Sequence, residues 1–167
     1  MLVSRLKKVS ELSSCKNTYD AISVTYSPDG FTPMNGWLLG FGIDYHQFNH
    51  PAIKRAHTDR RFRVIAHCDE KPVVITASKT ERWDSELGAG MEIIRTADCE
   101  RTQSLCMLQF GYVLGKFPVL AFEQCVKAVR QAKYWANISE VDVYVGDEHH
   151  EQAKRIWMQV MNEMTVL

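Results

Sequence analysis

Two runs rich in β-branched residues, "RFRVIAH" at 61–67 and "PVVITAS" at 72–78, are separated only by the polar tetrapeptide "CDEK". Val- and Ile-rich runs bounded by turn residues read as strands, and a connection this short allows them only antiparallel pairing, since a parallel crossover needs a dozen or more residues. A hairpin therefore constrains the chain more than any other feature, and the rest of the fold has to be built on a sheet that contains it.

The remaining segments extend that sheet. "AISVTYS" at 21–27 alternates and "WLLGFGI" at 37–43 is apolar, so each predicts a strand, one on either side of the Pro/Gly/Asn-rich loop "SPDGFTPMNG" at 27–36. "MEIIRT" (91–96), the bulky "FPVLAF" (117–122) and "EVDVYVG" (140–146) predict further strands, with "FPVLAF" as a buried central one. Leu2, Leu6 and Val9 line one face of a short opening helix within 1–14, and Pro51 suits the first turn of another in "NHPAIKRAH". Residues 101–114 predict a buried helix through Leu105, Leu108 and Tyr112. Phe122, Cys125, Val126 and Val129 predict the next, and Ala153, Ile156, Trp157, Val160, Met161 and Met164 mark a terminal amphipathic helix. The expected class is α+β: a mixed, partly antiparallel sheet with the hairpin in the first half, helix–strand–helix–strand–helix in the second, and helices packed on the sheet.

A chain of 167 residues fits one domain spanning 1–167, large enough to bury a core without a disulfide or a cofactor. No run approaches the ~20 apolar residues of a membrane span, and the first residues lack the apolar stretch of a secretory signal. A cytoplasmic location follows. The five cysteines, Cys15, Cys68, Cys99, Cys106 and Cys125, then read as free thiols.

The most ambiguous stretch is "MLQFGYVLGKFPVLAF" at 107–122. Gly115 followed by Lys116 matches a helix ending in a left-handed residue before a buried strand. The same string resembles the "ELGYA…GKPV" segment of nucleoside 2-deoxyribosyltransferases, in which a glutamate attacks the sugar. Gln109 stands at that glutamate's position, and an amide is no carboxylate nucleophile. By the order of its elements the region from "FRVIAHCDEKPVVITAS" to "VDVYV" is similar to GNAT acetyltransferases, which implies an acyl-CoA site at a glycine-rich turn. The corresponding "RTQSLC" at 101–106 carries neither glycine.

Metal chemistry finds little support. His46 and His50 are four apart, but Pro51 takes His50 out of helical geometry. His67 has only Cys68 beside it, and His149 and His150 sit at a helix start. The nucleophile-elbow, phosphate-loop and zincin motifs are absent.

Charge is balanced overall, with 20 basic and 20 acidic residues, but uneven locally. Lys54, Arg55, Arg60, Arg61 and Arg63 form a basic run, and Asp142, Asp147, Glu148 and Glu151 an acidic one. Opposed patches on a neutral chain suggest binding to a protein partner or another copy of the chain, with nucleic acid a weaker alternative. The functional expectation is thus an accessory protein that acts by binding, in the manner of many phage or mobile-element proteins. It needs no cofactor and no metal. The alternative is a divergent acyl- or nucleoside-related transferase.

Overall fold

The computed structural model describes residues 1–14, 19–26, 63–67, 73–78, 86–108, 117 and 119–163. They form strands β1 (Val3–Lys8), β2 (Ala21–Tyr26), β3 (Arg63–His67), β4 (Val73–Ser78), β5 (Ser104–Leu108) and β6 (Glu140–Val145). The helices are α1 (Glu86–Cys99), α2 (Val119–Ala132) and α3 (His150–Asn162), with 3-10 turns at Val9–Ser14 and Asp147–His149.

The strands make one six-stranded sheet in the order β1-β6-β5-β2-β4-β3. β1 with β6, β6 with β5, β5 with β2 and β2 with β4 all pair parallel. β3 lies antiparallel on β4 at one edge, with Arg63 opposite Ser78 and His67 opposite Val74. The α+β, partly antiparallel class is therefore corrected to α/β. A short connection fixes only the pair it joins, whereas the body of the sheet is set by the β4–α1–β5–α2–β6–α3 alternation, whose helical crossovers bring successive strands back parallel.

Three further expectations are overturned, each for a period that the sequence leaves ambiguous. The opening helix is strand β1: Leu2 and Leu6 are four apart, a spacing shared by a helix face and a strand face, and Arg5, Lys7 and Lys8 suit an edge strand. "MEIIRT" lies inside α1, where Ile93, Ile94 and Ala97 are buried at helical spacing. The predicted 101–114 helix and "FPVLAF" strand exchange roles. Every residue of β5, "SLCML", is buried, so it occupies the centre of the sheet, while "VLAF" opens α2 with Leu120 72% exposed. A strand covered on both faces has no alternation to distinguish it from a buried helix.

β2, β6, the Phe122–Cys125–Val126–Val129 face of α2 and the terminal helix α3 form where expected. The predicted strand at 37–43 and helix near Pro51 lie outside the described residues.

The three helices pack in chain order, α1 on α2 and α2 on α3. Their apolar faces meet Ala21, Ile75, Leu105, Met107, Val141, Val143 and Val145 in one core. Ile22, Cys106, Leu108, Asp142 and Tyr144 alternate to the other face and are buried as well. A parallel sheet covered on both sides is the arrangement such sheets require. Arg130 on α2 donates to the Val160 carbonyl at 2.8 Å, placing a cation against the negative end of α3.

Candidate functional site at the carboxyl edge of the sheet

From β2 the sheet grows through β4 to one side, and from β5 it grows through β6 to the other. The strand order thus reverses between the adjacent strands β2 and β5. In open parallel sheets the crevice outside the carboxyl ends at such a point is where ligands bind.

The sequence following β5 carries Gly111, Gly115 and Lys116 and leads directly into α2. The flanking elements exclude the expected helix stop before a buried strand, because a strand precedes this segment and a helix follows it. Strand, glycine-bearing segment and helix start is the order that offers backbone N–H groups and a positive helix end to an anion. The first turn of α2 contains no acidic residue to oppose one.

The neighbouring strand, β6, ends differently. Beyond Val145 come Gly146 and the turn Asp147–His149, then α3. The Glu148 carboxylate folds back over Gly146, where a side-chain carbon would meet its Oε1 at 2.9 Å. His149 Nε2 lies 3.5 Å from the same Oε1. The His149 ring stacks on Phe117, with centroids 5.4 Å apart and planes at 26°, and Phe117 also packs on Phe122 of α2. Phe117 therefore ties the chain entering α2 to the chain entering α3. Asp147 Oδ1 accepts the Ser10 N–H at 3.0 Å, joining the turn after β1 to the turn after β6. Hydrogen bonds from the Ser10 side chain and backbone hold the Asp147 carboxyl below its ordinary value, and Lys8 and His150 act in the same direction.

Of the two predicted patches, only the acidic one falls wholly within the described residues. Lys54, Arg55, Arg60 and Arg61 lie outside the described residues, as do Gln109, His46, His50 and Cys68, and Arg63 begins β3. Asp147, Glu148 and Glu151 sit together around the start of α3, but Asp142 is only 2% exposed within β6.

Asp142 is instead the centre of a buried polar network. Arg5 Nε donates to its Oδ1 at 2.9 Å, and the Tyr19 hydroxyl donates to its Oδ2 at 2.6 Å. Lys7 Nζ stands 3.5 Å from Oδ2, and Arg5 also reaches Glu140 at 3.3 Å. The Tyr19 and Tyr144 hydroxyls are 2.5 Å apart. Burial, followed by the Asp142 hydrogen bond, pushes the Tyr19 phenol up, so it remains a donor. The direct β1–β6 register, Arg5 opposite Asp142, creates the ion pair. Sequence reasoning missed Arg5, Tyr19 and Tyr144. The available signal was the acid alternating with valines in "EVDVYV", which marks a buried position once the strand is central.

Among the described residues no group of three histidine, cysteine or acidic side chains could hold a metal ion, and no helix is long and apolar enough to cross a membrane. Among the described residues Cys99, Cys106 and Cys125 form no disulfide.

No protein-family model and no curated protein sequence matches the chain. Among solved structures it is similar to the macrodomain of Thermus aquaticus DarG, with 15% identity and a TM-score of 0.56 over 87% of this chain and 99% of that one. It is also similar to the macro domain of ganglioside induced differentiation associated protein 2, with 13% identity and a TM-score of 0.62 over 95% and 83%. A third is a Trypanosoma brucei macrodomain in complex with ADP, with 13% identity and a TM-score of 0.58 over 93% and 68%. At these identities the likeness is one of fold, and the class it defines is the α/β macrodomain fold. The GNAT-like and deoxyribosyltransferase-like expectations have no counterpart among these structures. The reading as an accessory protein for a protein partner, a second copy or nucleic acid is likewise overturned: the fold is one seen with a nucleotide, and the acidic patch has lost Asp142 to the interior.

Proposed function

We propose that the chain binds ADP or a molecule containing it, such as ADP-ribose, in the crevice at the carboxyl ends of β2 and β5. The observation that carries the reading is the coincidence of a macrodomain fold, one example of which holds ADP, with a strand-order reversal flanked by a glycine-bearing segment that enters α2. In this arrangement the diphosphate lies against the acid-free start of α2, which supplies N–H donors and the positive end of its dipole. A single domain over 1–167 and a reducing, cytoplasmic setting for cysteines that form no disulfide among the described residues accord with such a binding module.

Thermal unfolding tests this directly. Ligand at 100 times its Kd adds about 2.7 kcal/mol to the native state, a rise of roughly 5–10 °C for a chain of this size. ADP and ADP-ribose are expected to raise the Tm by that amount and acetyl-CoA to leave it unchanged. The proposal fails if millimolar ADP and ADP-ribose both leave the Tm where it was.

A further inference from the structure

Two helices start side by side at the carboxyl edge, α2 after β5 and α3 after β6, and they are furnished oppositely. The first turn of α2 holds no acid, whereas Asp147, Glu148 and Glu151 crowd the start of α3. Three carboxylates meet the positive end of α3 before any ligand arrives, so an anion has no place there. Of the three, Asp147 is turned towards Ser10. Glu148 is held against Gly146 and beside the His149 ring, which stacks on Phe117 in the chain leading to α2. Its side chain is nevertheless 69% exposed and open to a ligand.

We infer that Glu148 is a specificity-determining residue that filters ligands by charge: it admits the uncharged nucleoside end of an ADP-type ligand and rejects one that carries a further phosphate there. This rests on the nucleotide-binding reading above. The diphosphate lies at α2, and the far end of the molecule extends past the Phe117–His149 pair towards β6. An aromatic pair offers a base a stacking surface. The carboxylate beside it accepts N–H donors and repels a phosphate. Because the group is exposed, solvent and salt reduce that repulsion to about tenfold in affinity.

The test is calorimetric titration of the full chain with ADP and with 2′-phospho-ADP, comparing the ratio of the two affinities. The unaltered protein is expected to favour ADP by about tenfold, and Glu148→Gln to bring the ratio within about threefold. Glu163→Gln removes the same charge at the far end of α3, roughly 20 Å away along a helix rising 1.5 Å per residue, and is expected to keep the original ratio. The exposure of Glu148 makes its variant foldable, which circular dichroism verifies. If ADP binds but Glu148→Gln leaves the ratio unaltered, or Glu163→Gln shifts it equally, the filter is refuted while the nucleotide reading stands. If neither nucleotide binds the unaltered protein, both fall.

Discussion

Asp142→Ala removes the one group that connects Arg5, Lys7 and Tyr19, and the structure sets how much that costs. The buried Tyr19 hydroxyl loses its charged acceptor 2.6 Å away and keeps the Tyr144 hydroxyl at 2.5 Å, and a hydrogen bond to a charged group contributes about 1.5–3 kcal/mol. The Arg5 side chain is 44% exposed and Lys7 25%, so both cations can return to water and their pairing contributes no more than about 1 kcal/mol. The total, about 1.5–4 kcal/mol, reaches only the lower part of the roughly 3–5 kcal/mol lost when a fully enclosed pair is broken. For a chain of this size the fall in Tm is roughly 3–16 °C. Urea unfolding should show a lower midpoint at unchanged slope, since the surface exposed on unfolding stays the same. Tyr19→Phe alone should cost more than Arg5→Leu. A double-mutant cycle between Tyr19→Phe and Asp142→Ala should give a coupling above about 0.5 kcal/mol. A loss under about 0.5 kcal/mol for Asp142→Ala, or an Arg5→Leu effect exceeding that of Tyr19→Phe, would refute the assignment of the energy to the buried hydroxyl.

Asp147 has its carboxyl depressed by the Ser10 hydrogen bonds, so it contributes stability above the ordinary carboxyl value of 3.8 that is lost as pH falls through the depressed one. The difference between the unaltered protein and Asp147→Asn should be constant above about pH 5 and shrink below about pH 4, as followed by urea midpoints across that range. Arg101 holds a φ of 58° just past α1, and Thr102 N–H closes the helix end onto the Ala97 carbonyl at 3.2 Å. Glycine is the usual residue at that capping position, so Arg101→Gly should stabilise by about 0.5–1 kcal/mol, read from the same denaturation curves.

Where the periodicity of the sequence had a single interpretation, it located the elements. Ala153 and Val160 sit on one face of α3 because their spacing fits a helix and no strand, and Phe122, Cys125, Val126 and Val129 mark α2 for the same reason. β5 was hidden by its own position: a strand with both faces covered is apolar at every residue, and "SLCML" carries no mark of which period it obeys. That one exchange displaced its neighbours, turning the start of α2 into a strand and the glycine-bearing segment into a helix stop. The candidate site was illegible for a related reason. It depends on the order of strands in space, and strand order is set by crossovers between segments far apart in the chain. Glu148, Gly146 and His149 are adjacent in sequence, but only the stacking of His149 on Phe117 brings them to the approach of α2. The acidic run looked continuous because sequence proximity does not distinguish an inward strand residue such as Asp142 from the outward residues of the turn that follows.

The pairing of β1 with β6 also sets a timetable. Arg5 and Asp142 are 137 residues apart, and among the described residues β1 pairs with β6 alone. On a ribosome adding about 5–20 residues per second, the first strand waits roughly 7–30 s before its partner has been made. During that interval the segment from Val3 to Lys8 must stay unpaired without recruiting the wrong neighbour, and its three cations within six residues help to keep it soluble. Of the described strands, the earliest in the chain is therefore placed only once the latest has been made.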